Sequence, residues 1–250
     1  MNNFWKKKSL YNPASSEPFR LSRSKIDLFL ECARCFYLDR RSGIARPSFP
    51  AFSLNSAVDV LLKKEFDLLR DKRQPHELMK TYQVDAIPYQ HPDLSVWREN
   101  FKGIDYHHQP TNFVVSGAID DVWINPSGEL IIVDYKSTST EKEISLEDEF
   151  KQGYKLQMEV YQWLFRQRGF RVADTGYFVF ANAGKNRPSF DGKLEFELSL
   201  IPHKGDTRWI EPTLLSIKQC LDSDKSPSLS ANCEYCQWRQ KVESALVEHA

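Results

Sequence analysis

Two runs of β-forming residues, 112–124 and 129–136, stand either side of Asn125-Pro126-Ser127-Gly128. Turn chemistry between two such runs predicts a β-hairpin. Upstream, Leu54, Ala57, Val58, Leu61, Leu62, Phe66 and Leu69 recur at helical spacing and predict a helix over 55–70. An earlier helix is expected over 24–39, opened by Ser24 and Asp27 as a capping box. Downstream, the pattern predicts a helix over 146–168 ended by Gly169, strands over 175–182 and 193–202, and a helix over 209–222 leading into a cysteine-bearing tail. Residues 73–111 are rich in Pro, His and Gln and predict little beyond a helical stretch around 94–101. Helices, strands, a helix, strands and a helix suit an α/β sheet with helical cover. The chain shows no internal repeat and no low-complexity linker.

The hairpin carries candidate chemistry. A three-residue loop, Pro126-Ser127-Gly128, with Gly128 left-handed, makes Asn125 pair with Glu129. Asp120 then falls opposite Asp134, and strand alternation puts Lys136 on their face. Two carboxylates in direct opposition repel unless a cation lies between them, and Ile119, Val122, Ile131, Ile132 and Val133 mark an interior strand, where an unpaired acid is costly. A divalent ion such as magnesium or manganese answers both problems. The plainer reading is a surface hairpin in which Lys136 neutralises Asp134.

The helix over 146–168 should bury Phe150, Tyr154, Met158, Tyr161 and Phe165. Gln157 sits on that stripe one turn before Tyr161. Either it is a core amide with satisfied hydrogen bonds, or Gln157 and Tyr161 border the acids.

Composition alters this picture little. Hydrophobic residues make up 41% of 250, and no apolar run reaches the length of a membrane span. The start, 1–13, has no apolar segment behind its lysines, so no membrane association and a cytoplasmic setting are expected. The net charge is zero, which argues against bulk electrostatic coating of nucleic acid. Residues 1–46 are nevertheless basic, through Lys6, Lys7, Lys8, Arg20, Arg23, Lys25, Arg34, Arg40, Arg41 and Arg46. They form either a phosphate-binding surface or, for Lys6 to Lys8, a solvated tail.

Gly117-Ala118-Ile119-Asp120, then Asp134-Tyr135-Lys136, then Gln157-Met158-Glu159-Val160-Tyr161 resembles the G-x-x-D, D-x-K and Q-x-x-x-Y series of RecB-like PD-(D/E)XK nucleases. Leu21-Ser22-Arg23-Ser24-Lys25-Ile26 and Cys32-Ala33-Arg34-Cys35-Phe36-Tyr37-Leu38 look like that family's opening helix. The resemblance implies a restriction-endonuclease-like mixed sheet flanked by helices, in one domain over 1–250. It implies hydrolysis of DNA phosphodiester bonds, chiefly by an exonuclease on single-stranded or frayed ends. Asp120, Asp134 and the carbonyl of Tyr135 would hold Mg²⁺ or Mn²⁺, and Lys136 would stabilise developing charge, with Gln157 and Tyr161 beside it. Where relatives place G-x-x-x-H on the second helix, this chain has Asn55-Ser56-Ala57-Val58-Asp59. Asp59 is then either a further oxygen ligand or a polar residue flanking the apolar stripe. DNA is the implied partner, with protein partners from DNA repair or CRISPR adaptation. A non-catalytic nucleic-acid binder should have lost an acid or the lysine, and a zinc-stabilised interaction protein should bind no divalent ion at Asp120 and Asp134.

Cys32 and Cys35 form one C-x-x-C pair and Cys233 and Cys236 another. In a reducing compartment, two pairs predict one four-thiolate centre joining residues 20–46 to 223–250, holding zinc or an iron–sulfur cluster. Resemblance to cluster-bearing relatives implies 4Fe-4S, yet those usually place one cysteine early and three late. Here the distribution is two and two, which suits zinc equally well, and position 242 is Val242. Cys220, beside Leu214, Ile217 and Leu221, is expected in a core.

Overall fold

The computed structural model describes residues 10–47, 53–148 and 151–248. In chain order its elements are β1 (Phe19–Ser22), α1 (Arg23–Glu31), α2 (Ala33–Arg41), α3 (Ser53–Lys72), α4 (Glu77–Thr81), β2 (Ile87–Pro88), α5 (Leu94–Trp97), β3 (Ile104–His108), β4 (Phe113–Gly117), β5 (Asp121–Ile124), β6 (Leu130–Thr138), α6 (Gln152–Gln167), β7 (Thr175–Ala183), β8 (Phe196–Lys204), α7 (Ile210–Asp222) and α8 (Glu234–Glu248). The chain divides into two units, one of Ala51–Tyr106 with Ser116–Thr207, the other of Met1–Pro50, His107–Val115 and Arg208–Ala250. The α/β class expected from the sequence is found.

The unit over 51–106 and 116–207 holds a five-stranded sheet in the order β2-β5-β6-β7-β8. β6 and β7 are parallel and the other pairs antiparallel. A parallel pair needs a crossover, which α6 supplies. Leu130, Ile131, Ile132 and Val133 are all buried, as a central strand covered on both faces requires. One face packs Trp123, Ile131, Val133, Tyr135, Val179 and Ala181 against Val58, Leu62 and Phe66 of α3. The other face turns Phe178 and Phe180 towards Tyr154 of α6. Helix and sheet meet so closely there that a Cβ on Gly176 would stand 2.4 Å from Met158 Sδ.

The hairpin turn forms as its sequence predicts. Gly128 has φ +76, its N–H donates to Asn125 O at 2.9 Å, and Asn125 Oδ1 accepts from Glu129 N at 2.9 Å. The expected strand over 112–124, however, is two strands. β4 belongs to a separate three-stranded sheet, ordered β1-β4-β3, and the chain bends at 118–120 before β5 begins. The α3 stripe is also narrower than predicted. Val58, Leu62, Phe66 and Arg70 follow one i, i+4 line towards the sheet, while Ala57 and Leu61 off that line, and Leu54 one turn before it, are exposed. α6 starts later than the predicted 146, and from Met158 to Phe165 it is buried on every side rather than along a stripe. Phe150 lies outside the described residues.

The other unit contains α1, α2, α7 and α8. The helix predicted over 24–39 breaks at Cys32, whose extended backbone (φ −160) ends α1 and whose Sγ accepts from Cys35 N to open α2. Ser24 and Asp27 form no capping box. The N-cap is Ser22, whose hydroxyl meets Ser24 Oγ at 3.1 Å rather than capping the helix backbone, and Asp27 pairs with Arg23. Fully buried Asp39 takes Lys25 at 2.5 Å and Arg40 at 3.0 Å, tying α1 to α2. Arg41 pairs with Asp224 and Arg46 with Glu31, so much of the described basic segment serves internal ion pairs. Lys6, Lys7 and Lys8 lie outside the described residues. Cys220 is half-buried on α7 beside the buried Leu214, Ile217 and Leu221, not within the core itself.

Candidate active site and thiolate centre

β5 and β6 pair as Asp121↔Val133, Val122↔Ile132, Trp123↔Ile131 and Ile124↔Leu130. One further step along this register sets Asp120, just ahead of β5, against Asp134. The Asp134 side chain is buried on the α6 face and contacts the Lys136 ammonium. Strand alternation brings those two together, since residues two apart share a face. Lys136 Nζ donates to Gln157 Oε1 at 3.2 Å and lies 4.6 Å from the centre of the Tyr154 ring. Gln157 Nε2 donates to the Tyr161 hydroxyl at 3.0 Å. Asp134, Lys136, Gln157 and Tyr161 therefore form one run of polar contacts. The fully buried amide of α6 is instead Gln162, whose Nε2 donates to the carbonyls of Ala173 and Asp174.

Asp120 is held by its two oxygens separately. Oδ2 accepts from the Tyr135 N–H at 2.9 Å, and Oδ1 meets Lys63 Nζ at 3.0 Å. Tyr135 lies past the end of the β5 ladder, and N–H and C=O of one strand residue point to the same edge. Its carbonyl therefore faces the side of β6 on which Asp120 stands. Lys63 Nζ also lies 2.9 Å from both oxygens of Asp59, one turn earlier on α3. Burial, then the neighbouring charge of Asp120, pushes the Asp59 carboxyl above its usual range. Burial alone would lower the Lys63 pKa, but Asp120 and Asp59 outweigh it and raise it, so Lys63 stays an ammonium.

The donor set suits a hard cation. Two carboxylates and a backbone carbonyl are oxygen ligands of the type magnesium and manganese take. Among the described residues, however, only the four cysteines form a group of three or more acidic, histidine or cysteine ligands whose ligand atoms all lie within 4.8 Å. Lys63 stands between two of the acids and Lys136 against the third.

Sequence reasoning missed the layer behind Asp120. Asp121 points to the opposite face, fully buried among Trp123, Val133 and Tyr135. It contacts Arg70, takes Arg98 Nη2 at 3.0 Å, and accepts from the Tyr135 hydroxyl at 2.8 Å. Burial pushes Asp121 up against the pull of both guanidiniums, and it raises Tyr135 well above the usual phenol range, keeping that hydroxyl a donor. Arg98 Nε donates to the Asp120 carbonyl at 2.8 Å and so holds the backbone that presents Asp120. The signal was the Asp-Asp doublet entering an apolar strand. Alternation sends one acid to each face, and the inward one demands a cation.

In the other unit, Cys32, Cys35, Cys233 and Cys236 are all buried and meet in one cluster. Sulfur separations are 3.6 Å for Cys32–Cys236, 3.7 Å for Cys35–Cys233 and 3.9 Å for Cys35–Cys236. Thiolates bound tetrahedrally at zinc distance stand about 3.8 Å apart. On a four-iron cube each thiolate caps a different iron, so the sulfurs spread to about 6 Å. Burial pushes Cys35 up to about 12. Burial also acts against ionisation of Cys233, yet the backbone N–H of Cys236 and the neighbouring thiols bring it to about 7. Arg46 Nη2 lies 3.2 Å from Cys233 Sγ.

A structure titled "Crystal structure of SSO0001" is similar at a TM-score of 0.39 and 14% identity, covering 90% of this chain and 86% of that one. No curated protein shows significant similarity to the chain. The family model of the PD-(D/E)XK nuclease superfamily, in contrast, matches residues 20–240, running through both units and every residue of the two clusters above. The chain belongs to the PD-(D/E)XK nuclease superfamily.

Proposed function

We propose that this protein is a Mg²⁺- or Mn²⁺-dependent deoxyribonuclease that hydrolyses phosphodiester bonds. The observation that carries the reading is the continuous polar run from Asp134 through Lys136 and Gln157 to Tyr161, with Asp120 on the Tyr135 N–H. Asp120, Asp134 and the Tyr135 carbonyl would hold the metal, which when bound polarises the phosphate and activates water. Lys136 supplies positive charge where negative charge develops, and its contacts with Gln157 and the Tyr154 ring restrict its position. Arg98 positions Asp120 through its carbonyl. Action on single-stranded or frayed ends is the form favoured by the RecB-like motif series. Incubation with end-labelled single- and double-stranded DNA, with and without Mn²⁺, tests this. Metal-dependent loss of label, abolished in Lys136→Ala, is expected; wild-type turnover in that variant would sink the assignment.

The four cysteines form a structural centre in this reading, and their separations support a single zinc ion over a 4Fe-4S cluster. Anaerobic purification should give a colourless protein with one zinc per chain. A brown protein carrying iron and sulfide would reverse the choice.

A further inference from the structure

We infer that the Lys63 ammonium serves as a built-in second cation of the acid site, so that the site takes one divalent ion rather than two. This rests on the metal-dependent reading above. Lys63 Nζ sits 3.0 Å from Asp120 and 2.9 Å from each oxygen of Asp59, one helical turn away on the same helix. Asp59 therefore already spends both oxygens on Lys63. It acts as a positioning residue that aims the ammonium at Asp120, not as the further metal ligand its place in the helix suggests.

Charge points the same way. By formal charge, Asp59, Asp120 and Asp134 bring three negative charges and Lys63 with Lys136 two positive ones, since Arg98 is engaged by Asp67 and Asp121. One divalent ion leaves a single positive charge, which a phosphodiester neutralises. A second would leave three, with no further carboxylate among these residues to offset them. A second divalent ion would supply positive charge beside the first, and Lys63 already supplies positive charge 3.0 Å from Asp120.

Manganese stoichiometry tests the idea without reading activity. The full-length protein would be titrated with Mn²⁺ by calorimetry, with free ion followed by electron paramagnetic resonance. Wild type should take one Mn²⁺, Lys63→Arg one, and Lys63→Met two, because removing the ammonium leaves two facing carboxylates. Asp59→Asn should still take one, with affinity within about threefold, whereas a ligand at Asp59 predicts a loss of tenfold or more. Circular dichroism and thermal melting confirm folding, and Lys63→Gln replaces Lys63→Met if the latter is unstable. Two ions on the wild type, or a tenfold loss in Asp59→Asn, would overturn the inference while leaving the metal site intact. No Mn²⁺ on wild type or variants would overturn the metal-dependent reading and this inference together.

Discussion

The thiolate cluster and the acid hairpin are opposite solutions to gathering metal-binding groups. The cysteines come as two pairs about two hundred positions apart, yet all four sulfurs lie within 4.8 Å of one another, three of the separations being 3.6–3.9 Å. The acids come from facing positions of one hairpin and a nearby helix, and all are already engaged: Asp59 and Asp120 share Lys63, Asp120 also takes the Tyr135 N–H, and Asp134 meets Lys136. The physical difference is charge. Thiols lose little on burial and can pack against one another as small hydrophobes, with one of the four, Cys233, drawn towards ionisation by its neighbours. Buried carboxyl groups are instead costly without a counter-charge, and each here is set against a cation or a backbone donor. A closed thiolate cluster suits a structural ion, and acids held apart by lysines suit a site that must admit a phosphate.

If that contrast is right, the largest effect belongs to the acids. Asp134→Ala should lower kcat for Mn²⁺-dependent DNA cleavage by about a thousandfold or more while leaving the melting temperature nearly unchanged. Steady-state cleavage beside a thermal melt checks both. A variant that unfolded instead would make Asp134 structural and erase the distinction.

The mirror image is Cys233→Ser. Losing one thiolate should release the ion and lower the melting temperature by on the order of 10 °C, with soluble yield falling before kcat changes. Metal analysis beside calorimetry decides this. Intact stability with lost cleavage would assign the thiolates to the chemistry.

Tyr135→Phe sharpens the comparison within the hairpin. It keeps the backbone N–H on Asp120 but removes the donor to buried Asp121, at a cost of about 1–2 kcal/mol of stability. Denaturant titration should show that loss with Mn²⁺ affinity retained. Unchanged stability would mean that Arg70 and Arg98 satisfy Asp121 unaided.

The smallest effect concerns pH. Asp222 is partly buried, which raises its pKa, but Lys218 and Tyr11 outweigh that and hold it below 3.8. A depressed carboxylate stabilises the fold above its ordinary pKa, and the contribution is lost as pH falls through the folded value. Asp222→Asn should therefore reduce stability at neutral pH and flatten its decline below about pH 4. Acid titrations of both proteins, followed by circular dichroism, would show a difference growing towards low pH if the sign were wrong.

Much of this site could be read from local rules. The turn Asn125 to Gly128 specified the hairpin register, because strand geometry admits one pairing once the loop length is known. Gln157 and Tyr161 shared a face because residues four apart on a helix must. Two C-x-x-C pairs announced a common centre by chemistry alone. Other features depended on how distant segments packed. The break at Cys32 turns a predicted continuous helix into two, with that residue capping the second. The bend at 118–120 splits one β-rich run between two sheets, a choice that no β-propensity encodes. Asp121 needed Arg70 and Arg98, and Asp120 met Lys63, only because α3 and the segment after α5 pass beside β5. Periodicity along a chain reports the direction of each side chain, so it could place the acids. Compensation of a buried charge depends on which distant segment arrives beside it, and only the tertiary structure decided that.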